Sequence, residues 1–188
     1  MRGFCSSLVF IISLLFISGS AGADEPETLW GWLIDFSRAK EVKPVSNLSY
    51  QEECGACHFA YPPGLLIEAS WRQLLTEKAL EDHFGENAEL DSETLNELWS
   101  YVFQRAADKS YSKRSRKIAY ASQGRSNLLR ITDVPYIKRK HYEIPEELIS
   151  GNDKVRLLSQ CNACHTKAEQ GDFDDDSVWI PDYGTWNK

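Results

Sequence analysis

Methionine is missing from almost the whole chain: the only one in 188 residues is Met1. No thioether side chain is therefore at hand as a metal ligand once the amino terminus is removed. Long apolar runs are equally few. Leu8 to Ile17, broken only by Ser13, is the one such run, and it is short of the roughly 20 apolar residues that span a bilayer. Basic charge is in deficit, with 21 Lys and Arg against 28 Asp and Glu. That balance argues against nucleic acid as a partner, because affinity for it rests on neutralising phosphates. Strand signals are weak throughout, so the fold class expected is mainly α. Cysteine is scarce too, and its placing is informative. Apart from Cys5, the cysteines are Cys54, Cys57, Cys161 and Cys164, and each belongs to a C-x-x-C pair.

The amino terminus reads as a secretory signal peptide. Arg2 gives a short positive region, the apolar run follows, and Ala21-Gly22-Ala23 supplies small residues for cleavage after Ala23. Cys5 leaves with that segment and lacks a lipoprotein setting. The expectation is an exported, periplasmic protein of 165 residues with no transmembrane segment after cleavage. Its charge is uneven. Lys109 to Lys140 holds ten basic residues and one acid, Asp133, a balance of +9, while the rest of the mature chain stands at −17.

Apolar periodicity places the helices. Glu27 to Lys40 is one candidate, closed by Pro44. Ser70-x-x-Gln73 resembles a capping box opening a helix through Trp71, Leu74, Leu75 and Leu80 to about His83. The clearest is built on Leu95, Leu98, Trp99, Val102, Phe103 and Ala106, a single face at the 3.6 period, capped by Asp91 or Ser92. From Asp108 to Tyr142 no apolar face is sustained, so a basic linker or wrapping segment is expected over 109–140. A last helix is expected from about Asp153 to His165. The expected organisation is a signal peptide (1–23), an N-terminal domain (24–108), the basic segment (109–140) and a C-terminal domain (141–188). Each half is poor in aliphatic residues. Units below roughly 70 to 80 residues usually need a cofactor or other staple to fold.

Cys54-Gly55-Ala56-Cys57-His58 and Cys161-Asn162-Ala163-Cys164-His165 are both C-x-x-C-H, the attachment pattern of c-type haem. Two sulfurs three residues apart on a helical turn face one side and form thioethers with the porphyrin vinyl groups. The following histidine then offers its imidazole to the iron. A four-cysteine zinc site, two disulfides or thioredoxin-like pairs compete, but the first two leave the adjacent histidines unexplained and the third lacks a βαβ setting. Two covalently bound haem c groups are expected. With methionine gone, the sixth ligands must come from elsewhere. The chain has four histidines, the number that two bis-imidazole irons require: His58 and His165 in the motifs, His83 and His141 outside them. Two imidazoles leave no open coordination position and no potential-raising thioether, which favours low-potential electron transfer over catalysis. The competing function is a small dihaem oxidoreductase, peroxidase-like or ligand-binding, with one accessible iron. In the basic segment, Arg125, Arg130 and Lys138 are candidates to pair with haem propionates or to steer an acidic partner.

From about Tyr50 to Pro181 the chain resembles the soluble dihaem cytochrome c family. The likeness rests on Cys54 to His58 followed by Tyr61-Pro62-Pro63-Gly64-Leu65-Leu66, on Trp71-Arg72, and on His83-Phe84-Gly85-Glu86-Asn87-Ala88. It continues through Asp133-Val134-Pro135-Tyr136 before His141 and the run from Cys161 to Phe173. The resemblance implies two small haem-organised domains, the first a reduced class I cytochrome c-like domain. It implies a bis-histidine electron carrier, not an enzyme, with His83 and His141 as distal ligands. It also implies redox partner proteins, among them a membrane cytochrome b and an oxygen-binding monohaem cytochrome c.

Overall fold

A computed structural model describes residues 42–125 and 127–186. The expected signal peptide and the expected helix over Glu27 to Lys40 lie outside them. The described residues form seven α-helices, several 3-10 turns and one two-stranded ribbon, so the class is mainly α.

Helix α1 (Leu48–Gly55) opens where the Asn47 side chain accepts the Tyr50 N–H at 2.6 Å, and its last turn carries Cys54. Tyr50 is buried beneath it and donates its hydroxyl to the Tyr61 carbonyl at 2.7 Å. After Pro62-Pro63 a 3-10 turn (Pro63–Leu65) brings Gly64 so close to Ser115 that any Cβ there would collide with the hydroxyl.

The single helix expected from Ser70 to His83 is two: α2 (Glu68–Leu74) and α3 (Glu77–Glu81). The residue before α2 is Ile67, with no side-chain cap, and Ser70 is a buried interior residue, so the expected capping box does not form. The break falls at Leu75, where ψ turns to 50°, and Thr76 caps α3 by accepting the Ala79 N–H. Helix α4 (Ser92–Arg105) follows the expected period. Asp91 caps it, accepting the N–H groups of Glu93 and Thr94 at 3.0 Å, and Leu95, Leu98 and Val102 are buried.

The basic stretch is not an irregular linker. It contains α5 (Lys113–Ala121) and α6 (Pro135–His141). Helix α5 buries Ser115, Ile118 and Ser122, a face of which two members are serines, and that hid its period. Pro135 opens α6 at the first helical position, where a missing N–H costs nothing. Toward the carboxyl end, the helix expected from Asp153 shrinks to α7 (Cys161–Cys164). Arg156 sits at φ +64°, which no continuous helix permits, and turns occupy the residues before the motif. Strands β1 (Trp179–Ile180) and β2 (Gly184–Thr185) pair antiparallel, Trp179 opposite Thr185 and Ile180 opposite Gly184.

One core runs through the molecule. Ala168 and Phe173 from the C-terminal part pack in the same cluster as Leu65, Leu66, Leu98 and Ile118. The chain entry is strapped to this part: the Val42 N–H donates to the Gly171 carbonyl at 3.1 Å, and Gly171, at φ +72°, leaves no room for a Cβ against Val42.

Candidate functional site

Four elements deliver the histidines. His58 follows α1 and the first cysteine pair. His165 follows α7 and the second. His83 follows α3 in a tight turn in which its N–H donates to the Glu86 carbonyl at 2.7 Å, and His141 is the last residue of α6. The fold brings them together two by two. The His58 and His83 rings lie 6.4 Å apart, centroid to centroid, with planes 23° apart. The His141 and His165 rings lie 6.1 Å apart with planes 72° apart. Two imidazoles bound through Nε2 to one metal at roughly 2 Å place their centroids about 6 Å apart. Both gaps have that size. The pairing joins each outlying histidine to the motif nearer in sequence.

The tautomers follow from the hydrogen bonds. Nδ1 of His58 faces the Phe59 carbonyl and Nδ1 of His141 faces the Ile137 carbonyl, each at 2.8 Å. A carbonyl only accepts, so Nδ1 carries the proton and Nε2 is bare, as a metal ligand requires. Nδ1 of His83 and of His165 is buried without a hydrogen-bond partner. Burial, with His141 and Arg114 adding to it, pulls the His165 pKa down to about 4. Burial, then His58 and Arg130, also lowers that of His83. Neutral imidazoles result.

Around the second pair lies a cleft walled by Leu65, Ile118, Ile131, Val155 and Ile180. Cys161 and Cys164 line it beside His141 and His165. Around the first, Tyr61 stacks on His58 at 4.8 Å and Phe84 meets His83 edge-on at 4.8 Å. Phe84 holds φ +60°, an unusual conformation for a bulky residue, and Arg130 lies over its ring at 4.0 Å.

The four cysteines form no disulfide with one another. Burial pushes Cys54 up to about 12, with Glu53 adding to it, and pushes Cys161 up to about 12 as well. Cys164 is also raised by burial. Among the described residues, no group of three His, Cys, Asp or Glu converges as zinc would require. The donor set fits a haem instead: a thiol pair, a bare Nε2 beside it, an apolar cleft and a second imidazole at coordination distance.

Of the basic residues singled out in sequence, Arg130 lies at the first pair. Lys138 is paired with Asp133 at 2.9 Å on the surface. Arg125 lines a separate groove with Tyr111 and Tyr120. Arg114 was not foreseen. It lines the second cleft, donating Nη1 to the Tyr136 hydroxyl at 3.0 Å and Nη2 to the Phe173 carbonyl at 2.9 Å. Nothing in the basic run distinguishes it from its neighbours.

Two C-x-x-C-H turns, each facing a second imidazole, define a c-type haem protein with two centres. Residues 50–173 match the family model described as dihaem cytochrome c. The chain is similar to the X-ray structure of a dihaem cytochrome c from Shewanella baltica OS155, at 38% identity and a TM-score of 0.61, over 75% of this chain and 98% of that one. It is similar to the dihaem cytochrome c of Rhodobacter sphaeroides, also at 38% identity, with a TM-score of 0.59, over 70% of this chain and 100% of that one. No curated protein matches. The chain belongs to the dihaem cytochrome c family and carries two covalently bound haem c groups, and the cysteine pairs present to hold them are Cys54 with Cys57 and Cys161 with Cys164. When bound, each haem supplies one-electron iron chemistry. The chain's own residues orient the imidazoles and line the second site with apolar side chains.

Proposed function

We propose that this protein is a periplasmic electron carrier whose two haem irons are each held by two histidines, His58 with His83 and His141 with His165. The observation that carries this reading is the spacing of the two imidazole pairs, 6.4 and 6.1 Å. Both axial positions are then filled by nitrogen, and no methionine beyond Met1 exists to raise the potentials. The irons are low-spin, low-potential and closed to small ligands. Their work is outer-sphere transfer between redox proteins. The partners implied by family resemblance, a membrane cytochrome b and an oxygen-binding monohaem cytochrome c, belong to the same proposal. Export by the amino-terminal segment supports a periplasmic location, and no described helix is long and apolar enough to cross a membrane.

The test is the visible and near-infrared spectrum of the mature holoprotein, oxidised, reduced, and reduced under carbon monoxide. Low-spin bis-imidazole bands that carbon monoxide leaves unchanged are expected. A high-spin signal or a carbon monoxide shift in the unmodified protein overturns the four-histidine assignment and favours an enzyme or ligand-binding role.

A further inference from the structure

The carboxyl-terminal ribbon lies beyond residues 50–173, the span that matches the family model, yet it walls the second cleft. Val178 and Ile180 are buried and line the cleft, while Trp179 between them is exposed, the alternation that extended chain imposes. Contacts on both sides fasten the ribbon to the site. Val178 forms an isolated antiparallel bridge with His165, the Asn152 side chain donates to the Pro181 carbonyl at 2.8 Å, and Lys154 pairs with Asp182. The return strand, Gly184–Thr185, then delivers Trp186 to the same cleft.

The indole N–H of Trp186 is buried and meets no acceptor among the described residues. Other donors of the cleft are engaged. Arg114 gives Nη1 to the Tyr136 hydroxyl and Nη2 to the Phe173 carbonyl, and Lys140 gives Nζ to Asp175 at 2.7 Å. Buried donors in folded proteins are paired almost without exception, because an unmet one forfeits its hydration for nothing. An indole N–H can only donate, and the nearby walls of Ile118, Val155 and Ile180 carry no side-chain acceptor. The group that belongs in this cleft does carry one. The rim of a haem is apolar except for its two propionates, and a carboxylate only accepts.

We propose that Trp186 is a haem-binding residue: its indole N–H donates to a propionate of the second haem, and the ribbon that carries it is a wall of that haem's seat. This rests on the seating of the second haem beside His141 and His165 described above. No electron or proton changes hands in the contact. A neutral donor meets a charged acceptor, which makes a stronger hydrogen bond than two neutral groups do. Tyr183, with its ring 5.9 Å from the indole, flanks the tryptophan within the ribbon.

The experiment uses proton NMR of the full mature holoprotein, fully reduced so that both low-spin irons are diamagnetic. Trp186→Phe keeps an aromatic ring and removes the N–H, so the indole signal lost in that variant belongs to Trp186. In the unmodified protein this proton is expected to exchange slowly with deuterium and to show a nuclear Overhauser effect to a propionate methylene of the haem on His165. Resonance Raman adds a readout that packing alone does not move. The propionate bending band is expected to shift in Trp186→Phe while the low-spin marker bands stay in place. Absence of the Overhauser effect overturns the proposal, and so does a bending band that the substitution leaves unchanged. Where Trp186→Phe does not fold around its haems, the indole proton is assigned through its Overhauser effects to Thr185, and its contact with the propionate decides alone. Failure of the ligand assignment is separate, because it shows as carbon monoxide binding in the unmodified protein.

Discussion

His58 and His141 each give an Nδ1 proton to a main-chain carbonyl, whereas His83 and His165 have no partner at that atom. His165 is nonetheless tethered, because it follows Cys164 directly. His83 has neither aid. It sits beside Phe84, whose φ of +60° stores roughly 1–2 kcal/mol of backbone strain, and it forgoes a hydrogen bond worth about 1 kcal/mol. Of the two irons, the first is expected to open first. On warming ferrous protein under carbon monoxide, the earliest difference spectrum should match that of His83→Ala. A match to His141→Ala instead would refute this order. At this scale the sequence was legible where chemistry is written in side-chain identity. Four cysteines and four histidines declared the two sites, and the absence of methionine pointed to imidazole. The carbonyls of Phe59 and Ile137 were not legible, because every residue carries the same acceptor and only the fold decides which one an imidazole meets. Arg114 stayed hidden for a related reason, as one cation among ten.

Helix α4 shows which elements the sequence declares and which it does not. Its apolar face recurs without interruption and its cap is a single residue, so both could be read directly. Asp91→Ala is expected to remove the cap and lower the thermal midpoint of the holoprotein with unchanged haem spectra. Helices α2 and α3 were merged in the reading because Leu74, Leu75 and Leu80 keep the helical period across the break, while the actual cap, Thr76, falls inside that run. Helix α5 shows no apolar period because Ile118 is flanked on the buried side by Ser115 and, at the cap, by Ser122, and the small Ser115 allows close approach to the turn at Gly64. The start of α2 is tied to the segment after α4 by Glu68, which meets Arg72 at 2.5 Å and Lys109 at 3.1 Å. Its hydrogen bonds to Arg72 and then Lys109 hold the carboxyl below its ordinary 4.5. A depressed carboxylate stabilises the fold above the ordinary value and loses that contribution as pH falls through the folded one. The pair is largely exposed, so its worth is under about 1 kcal/mol. Glu68→Gln should lower stability at neutral pH by that small amount, leave stability in acid unchanged, and so flatten the acid side of the profile.

Across the whole molecule, Ala168 and Phe173 of the C-terminal part join the main buried cluster, while Val155, Val178 and Ile180 are buried outside it. Residues far apart supply that core jointly, so neither half showed enough of it alone. The strap between Val42 and Gly171 closes the assembly at a point where only glycine fits. Gly171→Ala meets both a left-handed backbone and the Val42 carbonyl, and is expected to cost about 2–3 kcal/mol. Thermal unfolding of the holoprotein checks it, and an unchanged midpoint would mean the strap carries no stability. The two imidazole pairs differ in one further respect. Their planes are near parallel at the first site and near perpendicular at the second, 23° against 72°. Parallel axial imidazoles lift the degeneracy of the iron orbitals that hold the unpaired electron, and perpendicular ones leave them nearly equal in energy. The oxidised protein is therefore expected to give two distinct paramagnetic signatures at low temperature, a rhombic one from the first iron and a strongly anisotropic one from the second. Each iron carries its own magnetic label, and the position of a single added electron can be read by seeing which label disappears.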